Sequence, residues 1–154
     1  MDRIANELDI EVIDLGDRNM SCYDYDHRNR SDDFEPLMQR VLEYEQIIFA
    51  SPVYWYAVSP PMKIFLDRIS DFLDLPDLLE QGRRLRSKTG YVVCTSIYDE
   101  VPASFIGAFR DTFDYLGMRF GGCAHVNCRD GIEPARHEAE ALAFAHQVKN
   151  GVRR

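Results

Sequence analysis

Residues 51–59, Ser51-Pro52-Val53-Tyr54-Trp55-Tyr56-Ala57-Val58-Ser59, set three consecutive aromatic side chains beside a proline. Directly before them, Gln46-Ile47-Ile48-Phe49-Ala50 is an apolar run suited to an inner strand of a parallel sheet, buried on both faces. Aromatics just after a buried strand make a flat apolar wall beside free backbone amides. A planar heterocycle needs both: a surface to lie on, and N–H donors for its carbonyls and ring nitrogens. The competing reading is a surface aromatic cluster that packs a loop or a dimer contact.

Other reactive residue types carry less. Cys22, Cys94, Cys123 and Cys128 are too few for a disulfide scaffold in 154 residues. Cys123 and Cys128 lie five apart in what reads as a strand, so they point to opposite faces. The histidines at 27, 125, 137 and 146 show no zinc-ligand spacing with them. No metal site is expected. No G-x-G-x-x-G, P-loop lysine motif or H-E-x-x-H occurs. Asp67-Arg68 reads as a helix-surface ion pair, or as a contact to a neighbouring loop, rather than a catalytic dyad. Lys63 reads as a surface or interface lysine.

These residues need elements to position them. Residues 2–9 read as the end of a helix, with Ile4, Ala5 and Leu8 on one face. Residues 11–15 read as a strand closed by Gly16-Asp17, and residues 17–33 as a polar, solvated loop. Asp32 or Asp33 caps a helix whose Phe34, Leu37, Met38, Val41 and Leu42 repeat at helical spacing. After the strand at 46–50, Ser59 as N-cap and Pro60 as first residue open a helix carrying Met62, Phe65, Leu66, Ile69 and Phe72. Residues 91–94 form another buried strand. A helix from about 102 to 116 buries Phe105, Ile106, Phe109 and Phe113 and ends at Gly117. Residues 123–128 read as a strand. Pro134 starts a last helix whose apolar side includes Leu142, Ala145 and Val148.

Strands alternating with helices predict an α/β layered fold with a parallel sheet. No linker or repeat divides the chain, so residues 1–154 are read as one domain. In such sheets ligands bind at the carboxyl ends of the strands. That singles out the loops at 51–59 and 95–102. Composition agrees with a globular domain: 45% apolar and 29% charged residues. A net charge of -8 argues against a general nucleic-acid surface. No apolar run approaches a membrane span, and Met1-Asp2-Arg3-Ile4 lacks a signal pattern. A cytoplasmic location is expected.

Ile47-Ile48-Phe49-Ala50-Ser51-Pro52-Val53-Tyr54-Trp55, followed by Val58-Ser59-Pro60-Pro61-Met62-Lys63-Ile64-Phe65-Leu66-Asp67-Arg68, resembles the NAD(P)H-dependent FMN reductases of flavodoxin-like fold. The resemblance is strongest to the branch that includes the iron-sulfur flavoproteins. It implies a three-layer sandwich and FMN as cofactor. It also implies hydride transfer from NAD(P)H through FMN to a quinone, flavin or other acceptor. By the same resemblance Pro52, Val53, Tyr54 and Trp55 lie along the isoalloxazine ring. Thr95, Ser96 and Tyr98 flank it from the other side. A homodimer with the aromatic loop near its interface is implied too. The cofactor does the hard chemistry, so no catalytic side chain is named.

Two departures from the pattern shape the expectations. The iron-sulfur branch has a compact cysteine cluster where this chain has only Cys22, so no iron-sulfur centre is expected. The family also opens with a strand and a phosphate-binding loop resembling G-S-P-R-x-x-G-N-T. This chain begins where the following helix should already run. The expectation is a four-stranded sheet, residues 11–15 sliding over to pair with 46–50, and weakened FMN binding. Two function classes remain: an FMN-dependent oxidoreductase, and a cofactor-free interaction module or inactive remnant of the fold. A phospho-receiver domain is disfavoured, because no acid ends the strand at 46–50.

Overall fold

Two of the apolar runs, and a third segment of mixed character, become the strands of one parallel sheet ordered β1-β2-β3. The computed structural model describes residues 2–132, 135 and 137–151. In chain order it contains α1 (Asp2–Leu8), α2 (Phe34–Val41), β1 (Gln46–Pro52), α3 (Pro60–Arg68), α4 (Asp71–Asp74) and α5 (Leu79–Arg83). β2 (Thr89–Ser96), α6 (Ala103–Leu116), β3 (Arg119–Asn127) and α7 (Glu138–Gly151) follow. Pro134, read as the start of the last helix, lies outside the described residues.

β2 is the central strand and is buried along nearly its whole length. Its side chains alternate between two cores, as the two-residue period of a strand requires. Val92 and Cys94 face the larger core with Phe49, Met38, Phe65 and the α6 stripe Phe105, Phe109 and Phe113. Tyr91 and Val93 face the smaller one with Ile4, Phe144 and Val148. Helices therefore cover both faces, giving the three layers of a flavodoxin-like α/β sandwich. α6 ends at Gly117 in the left-handed conformation, φ 71°, with Met118 N–H closing onto the Phe113 carbonyl at 2.8 Å. Among the described residues no helix is long and apolar enough to cross a membrane.

Among the described residues the sheet has three strands, not four. Residues 11–15 show the in-out alternation of a strand, since Ile13 and Leu15 pack on the larger core while Val12 is exposed. Among the described residues their backbone joins no ladder. α1 packs against α7 on one face, and the 3-10 turn Leu15–Asp17 packs against α3 on the other. The segment between them passes from face to face. Asp14 ends it by accepting the Gly16 N–H at 2.8 Å, which starts the 3-10 turn.

Two smaller differences matter for positioning. The helix expected to run through Phe72 stops at Arg68 and restarts as α4. Leu142 on α7 is exposed, and Phe144 takes the buried position beside Ala145 and Val148. Asp33 holds the N-cap position of α2 without a side-chain cap bond, and the Asp32 side chain accepts Phe34 N–H at 3.0 Å.

Candidate functional site

β1 and β2 are parallel and in register from Gln46↔Thr89 to Pro52↔Thr95. Their following loops therefore open at the same, carboxyl end of the sheet. Val53 N–H bonds the Thr95 carbonyl at 2.9 Å and ties the two loops together at their bases. Buried Ser51 locks the β1 exit: its hydroxyl accepts Ser59 N–H at 2.9 Å and donates to the Pro52 carbonyl at 2.9 Å. That bond closes the loop on itself just before α3. Ser59 holds the N-cap position by its backbone, and its side chain makes no cap bond.

Between these anchors the aromatics form a two-residue hairpin. Tyr54 and Ala57 exchange backbone hydrogen bonds of 2.9 and 3.0 Å, leaving Trp55 and Tyr56 as the central pair. Both have positive φ, 49° and 65°. A tight hairpin of the I′ type requires this at both positions and normally takes Asn and Gly there. Bulky side chains in this region are outliers, and such strain clusters at functional sites. The strained turn holds its rings outward: Trp55 is 92% exposed, and Tyr54 and Tyr56 are about half exposed.

The β2 loop supplies the facing wall. The Tyr98 ring stacks on Tyr56, with centroids 5.2 Å apart and planes at 22°. The Tyr56 hydroxyl beside it, with some burial, holds the Tyr98 phenol above the ordinary tyrosine range, so it stays protonated. Ser104, in the first turn of α6, donates to the Tyr56 carbonyl at 3.0 Å. Ser96 is buried and accepts Tyr98 N–H at 3.1 Å. Pro52, Val53, Tyr54, Trp55, Thr95, Ser96 and Tyr98 thus lie at the ends of β1 and β2 and in the loops that follow them, at one end of the sheet. Ser96 points inward, into the strand-end network, whereas Tyr54, Trp55 and Tyr56 look out.

Sequence reading missed three features. His125 on β3 reaches the Ser96 hydroxyl with Nε2 at 2.7 Å. The two residues are 29 positions apart, and only the β2–β3 register joins them. Burial pushes the His125 imidazole below its ordinary pKa, toward the neutral form. Asp99 faces the same strand end, 3.4 Å from the Arg129 guanidinium and 3.3 Å from Asn127 Nδ2.

The second feature is the burial of Arg68: of the two readings of Asp67-Arg68, the contact to a neighbouring loop holds and the surface ion pair does not, because the side chain is fully buried. Its guanidinium pairs with Asp32 at 2.6 Å and Asp71 at 2.7 Å, and donates to the Ser21 carbonyl at 3.1 Å. His27 Nδ1 meets the other Asp71 oxygen at 2.9 Å. Asp67 instead pairs with Lys63 at the surface. The polar stretch at 17–33 is therefore pinned to α3 and α4 and is not simply a solvated face. The third is Cys94, which lies beside Cys123 on the same sheet face. The Cys123 sulfur and burial together raise its pKa, so it remains a thiol. Cys128, just past β3, points its sulfur at the Ser96 carbonyl at 3.3 Å. Among the described residues no three His, Cys, Asp or Glu side chains gather as a metal site.

The family model described as NADPH-dependent FMN reductase matches residues 1–130. A Bacillus subtilis (strain 168) protein, YwqN, whose name describes an NAD(P)H-dependent FMN-containing oxidoreductase, is 30% identical over 95 residues. The match covers 59% of this chain and 51% of that protein, so the chain spans about half the length of the curated relative. Among solved structures, the Trp repressor binding protein from Bacillus subtilis is similar at a TM-score of 0.63 and 27% identity, over 73% of each chain. An NADPH-quinone reductase from P. pentosaceus shares the fold at a TM-score of 0.56 and 16% identity, over 75% of this chain and 73% of that one.

Proposed function

Because the chain belongs to the NADPH-dependent FMN reductase family, we propose that its paired loops hold the isoalloxazine ring of FMN for electron transfer from NAD(P)H to a quinone, flavin or other acceptor. When bound, FMN supplies the hydride chemistry. The chain's own residues bind and orient. Pro52, Val53, Tyr54 and Trp55 offer the apolar wall, and Thr95 and Ser96 at the end of β2, with Tyr98 in the loop after it, flank the ring from the other side. No side chain is assigned a proton-transfer role. The reading extends to a homodimer with the exposed aromatic turn near its interface.

The observation that carries this reading is the strained turn. Trp55 and Tyr56 occupy positive-φ positions that Asn or Gly would fill at lower cost, and they lie beside the β2 loop at the ligand-binding end of the sheet. An aromatic cluster serving only to pack a loop would bury Trp55, which is nearly fully exposed.

The chain has a single tryptophan, so intrinsic tryptophan fluorescence reports on this loop alone. Titration with FMN and with riboflavin is expected to quench Trp55 in both cases, because both carry the ring. The difference between the two affinities measures what the phosphate adds. Absence of quenching by either flavin, with no visible flavin absorbance in the purified protein, overturns the reading and leaves the cofactor-free interaction module.

A further inference from the structure

The Ser96–His125 contact has no role in the function proposed above, yet it sits behind the aromatic wall. Building on that flavin reading, we propose that His125 and Ser96 are positioning residues, which set the aromatic wall from behind through Tyr98.

The argument starts from the valence of one hydroxyl. Ser96 Oγ has one hydrogen to give and two lone pairs to receive. One lone pair takes Tyr98 N–H at 3.1 Å. The 2.7 Å contact joins that oxygen to His125 Nε2, with the direction of the bond set by the imidazole tautomer. Burial favours the neutral imidazole, and the tautomer with its proton on Nδ1 leaves Nε2 free to accept. The result is a one-way chain, Tyr98 N–H to Ser96 O–H to His125 Nε2, in which each donor meets an acceptor. Reversing His125 to a donor would leave the buried serine hydrogen without that partner.

The chain of bonds continues into the site. The Ser96 bond to the amide two residues ahead is the local turn that sets the course of the loop after β2. It fixes Tyr98, whose ring lies against Tyr56 at 5.2 Å. Tyr56 is the second residue of the strained turn, held on its other side by Ser104. Around Ser96 the backbone is clamped as well: Cys128 N–H bonds its carbonyl at 2.8 Å, and Arg129 Nε bonds the Ile97 carbonyl at 3.1 Å. Of these links, the His125–Ser96 bond alone joins two side chains across β2 and β3 and also contacts the Tyr98 amide. Strand β3 thereby takes part in the site without facing the ring.

The variants are His125→Leu, His125→Gln, Ser96→Ala and the double Ser96→Ala/His125→Leu. Three quantities are read: FMN affinity by Trp55 quenching, visible circular dichroism of bound FMN, and Trp55 fluorescence anisotropy without flavin. Losing the bond is expected to weaken FMN about tenfold, the scale of one buried hydrogen bond. It should also alter the visible dichroism and lower the anisotropy. His125→Gln keeps an acceptor for the serine and should recover most of each signal. The double variant should be no worse than the worse single, because both break one link.

A wild-type chain that binds flavin, with variants matching its affinity, dichroism and anisotropy, overturns the proposal. So does a loss that follows thermal stability alone and is not rescued by glutamine. If the wild type binds no flavin, the flavin reading fails by itself, and the anisotropy series still decides whether His125 and Ser96 hold the turn. Ser96→Ala removes a single oxygen and keeps the test usable if His125→Leu does not fold.

Discussion

Trp55 and Tyr56 hold a backbone conformation that costs bulky residues on the order of 1–3 kcal/mol each. Packing around Trp55 does not offset that cost, because the side chain is 92% exposed. Tyr56 recovers part of its share by stacking on Tyr98. A residue that tolerates the left-handed region should therefore improve stability at position 55. Trp55→Asn is expected to raise the unfolding free energy by roughly 1 kcal/mol and to weaken flavin binding at the same time. Urea unfolding, followed by circular dichroism because the variant lacks tryptophan, measures the first effect. Flavin fluorescence on titration measures the second. A variant that is less stable than wild type would show that the turn carries no strain. A variant that binds flavin unchanged would remove Trp55 from the wall.

At the scale of elements, the buried charge cluster joins α3 and α4 to the loop before α2. Burial opposes ionisation of Asp32, but the Arg68 guanidinium, the Ser21 and Phe34 amides and the Ser21 hydroxyl outweigh it, lowering its pKa to about 2. The ordinary value is 3.8. A carboxylate with a depressed folded pKa stabilises fully above its unfolded value and loses that contribution as pH falls toward the folded one. The expected loss is roughly 2 kcal/mol between about pH 4 and pH 2. The check is urea unfolding of wild type and Asp32→Asn across that range. Their difference should shrink as pH falls, and a constant difference would mean that Asp32 does not titrate with folding. This anchor also shows where sequence patterning stops. Phe65, Arg68 and Phe72 share a stripe at helical spacing, so position 68 was marked for burial by its period. The charge type alone argued for the surface. The elements α2, α3, α6, β1 and β2 were legible because their apolar spacing comes from their own contacts with the core. Residues 11–15 had the same alternation, but a strand also needs a neighbour, and α1 and the 3-10 turn draw that segment across the sheet. The site divides likewise. The aromatic wall is one contiguous motif and could be read directly. The Ser96–His125 bond depends on a strand register with an irregularity opposite Gly90 and Tyr91, which no local pattern encodes.

On the scale of the whole molecule, the sheet has two edges, and they differ. β3 begins with Arg119 and contains the register irregularity, both of which discourage a further strand. β1 is Gln-Ile-Ile-Phe-Ala-Ser-Pro, with no charged residue and its only proline at the last position. Among the described residues its ladder partner is β2 alone. An uncharged, apolar edge of this length is a template for pairing with another strand. Two copies related by a two-fold axis can join β1 to β1 antiparallel, making a continuous six-stranded sheet. The net charge of -8 opposes that approach. Salt screens the repulsion and leaves backbone hydrogen bonds and apolar contacts largely intact. Self-association is therefore expected to strengthen with both protein concentration and ionic strength. Sedimentation velocity at two salt concentrations measures it. Ala50 is the exposed position within β1, so Ala50→Lys places a charge on the edge without disturbing the core. It should weaken association about tenfold or more, equivalent to about 1.4 kcal/mol. Trp55→Asn separates this edge from the other candidate interface: it should leave β1 pairing unchanged but dissociate a dimer built on the aromatic turn. A species that stays monomeric at high salt and high concentration, or an Ala50→Lys variant that associates like wild type, shows that the β1 edge is not a site of pairing.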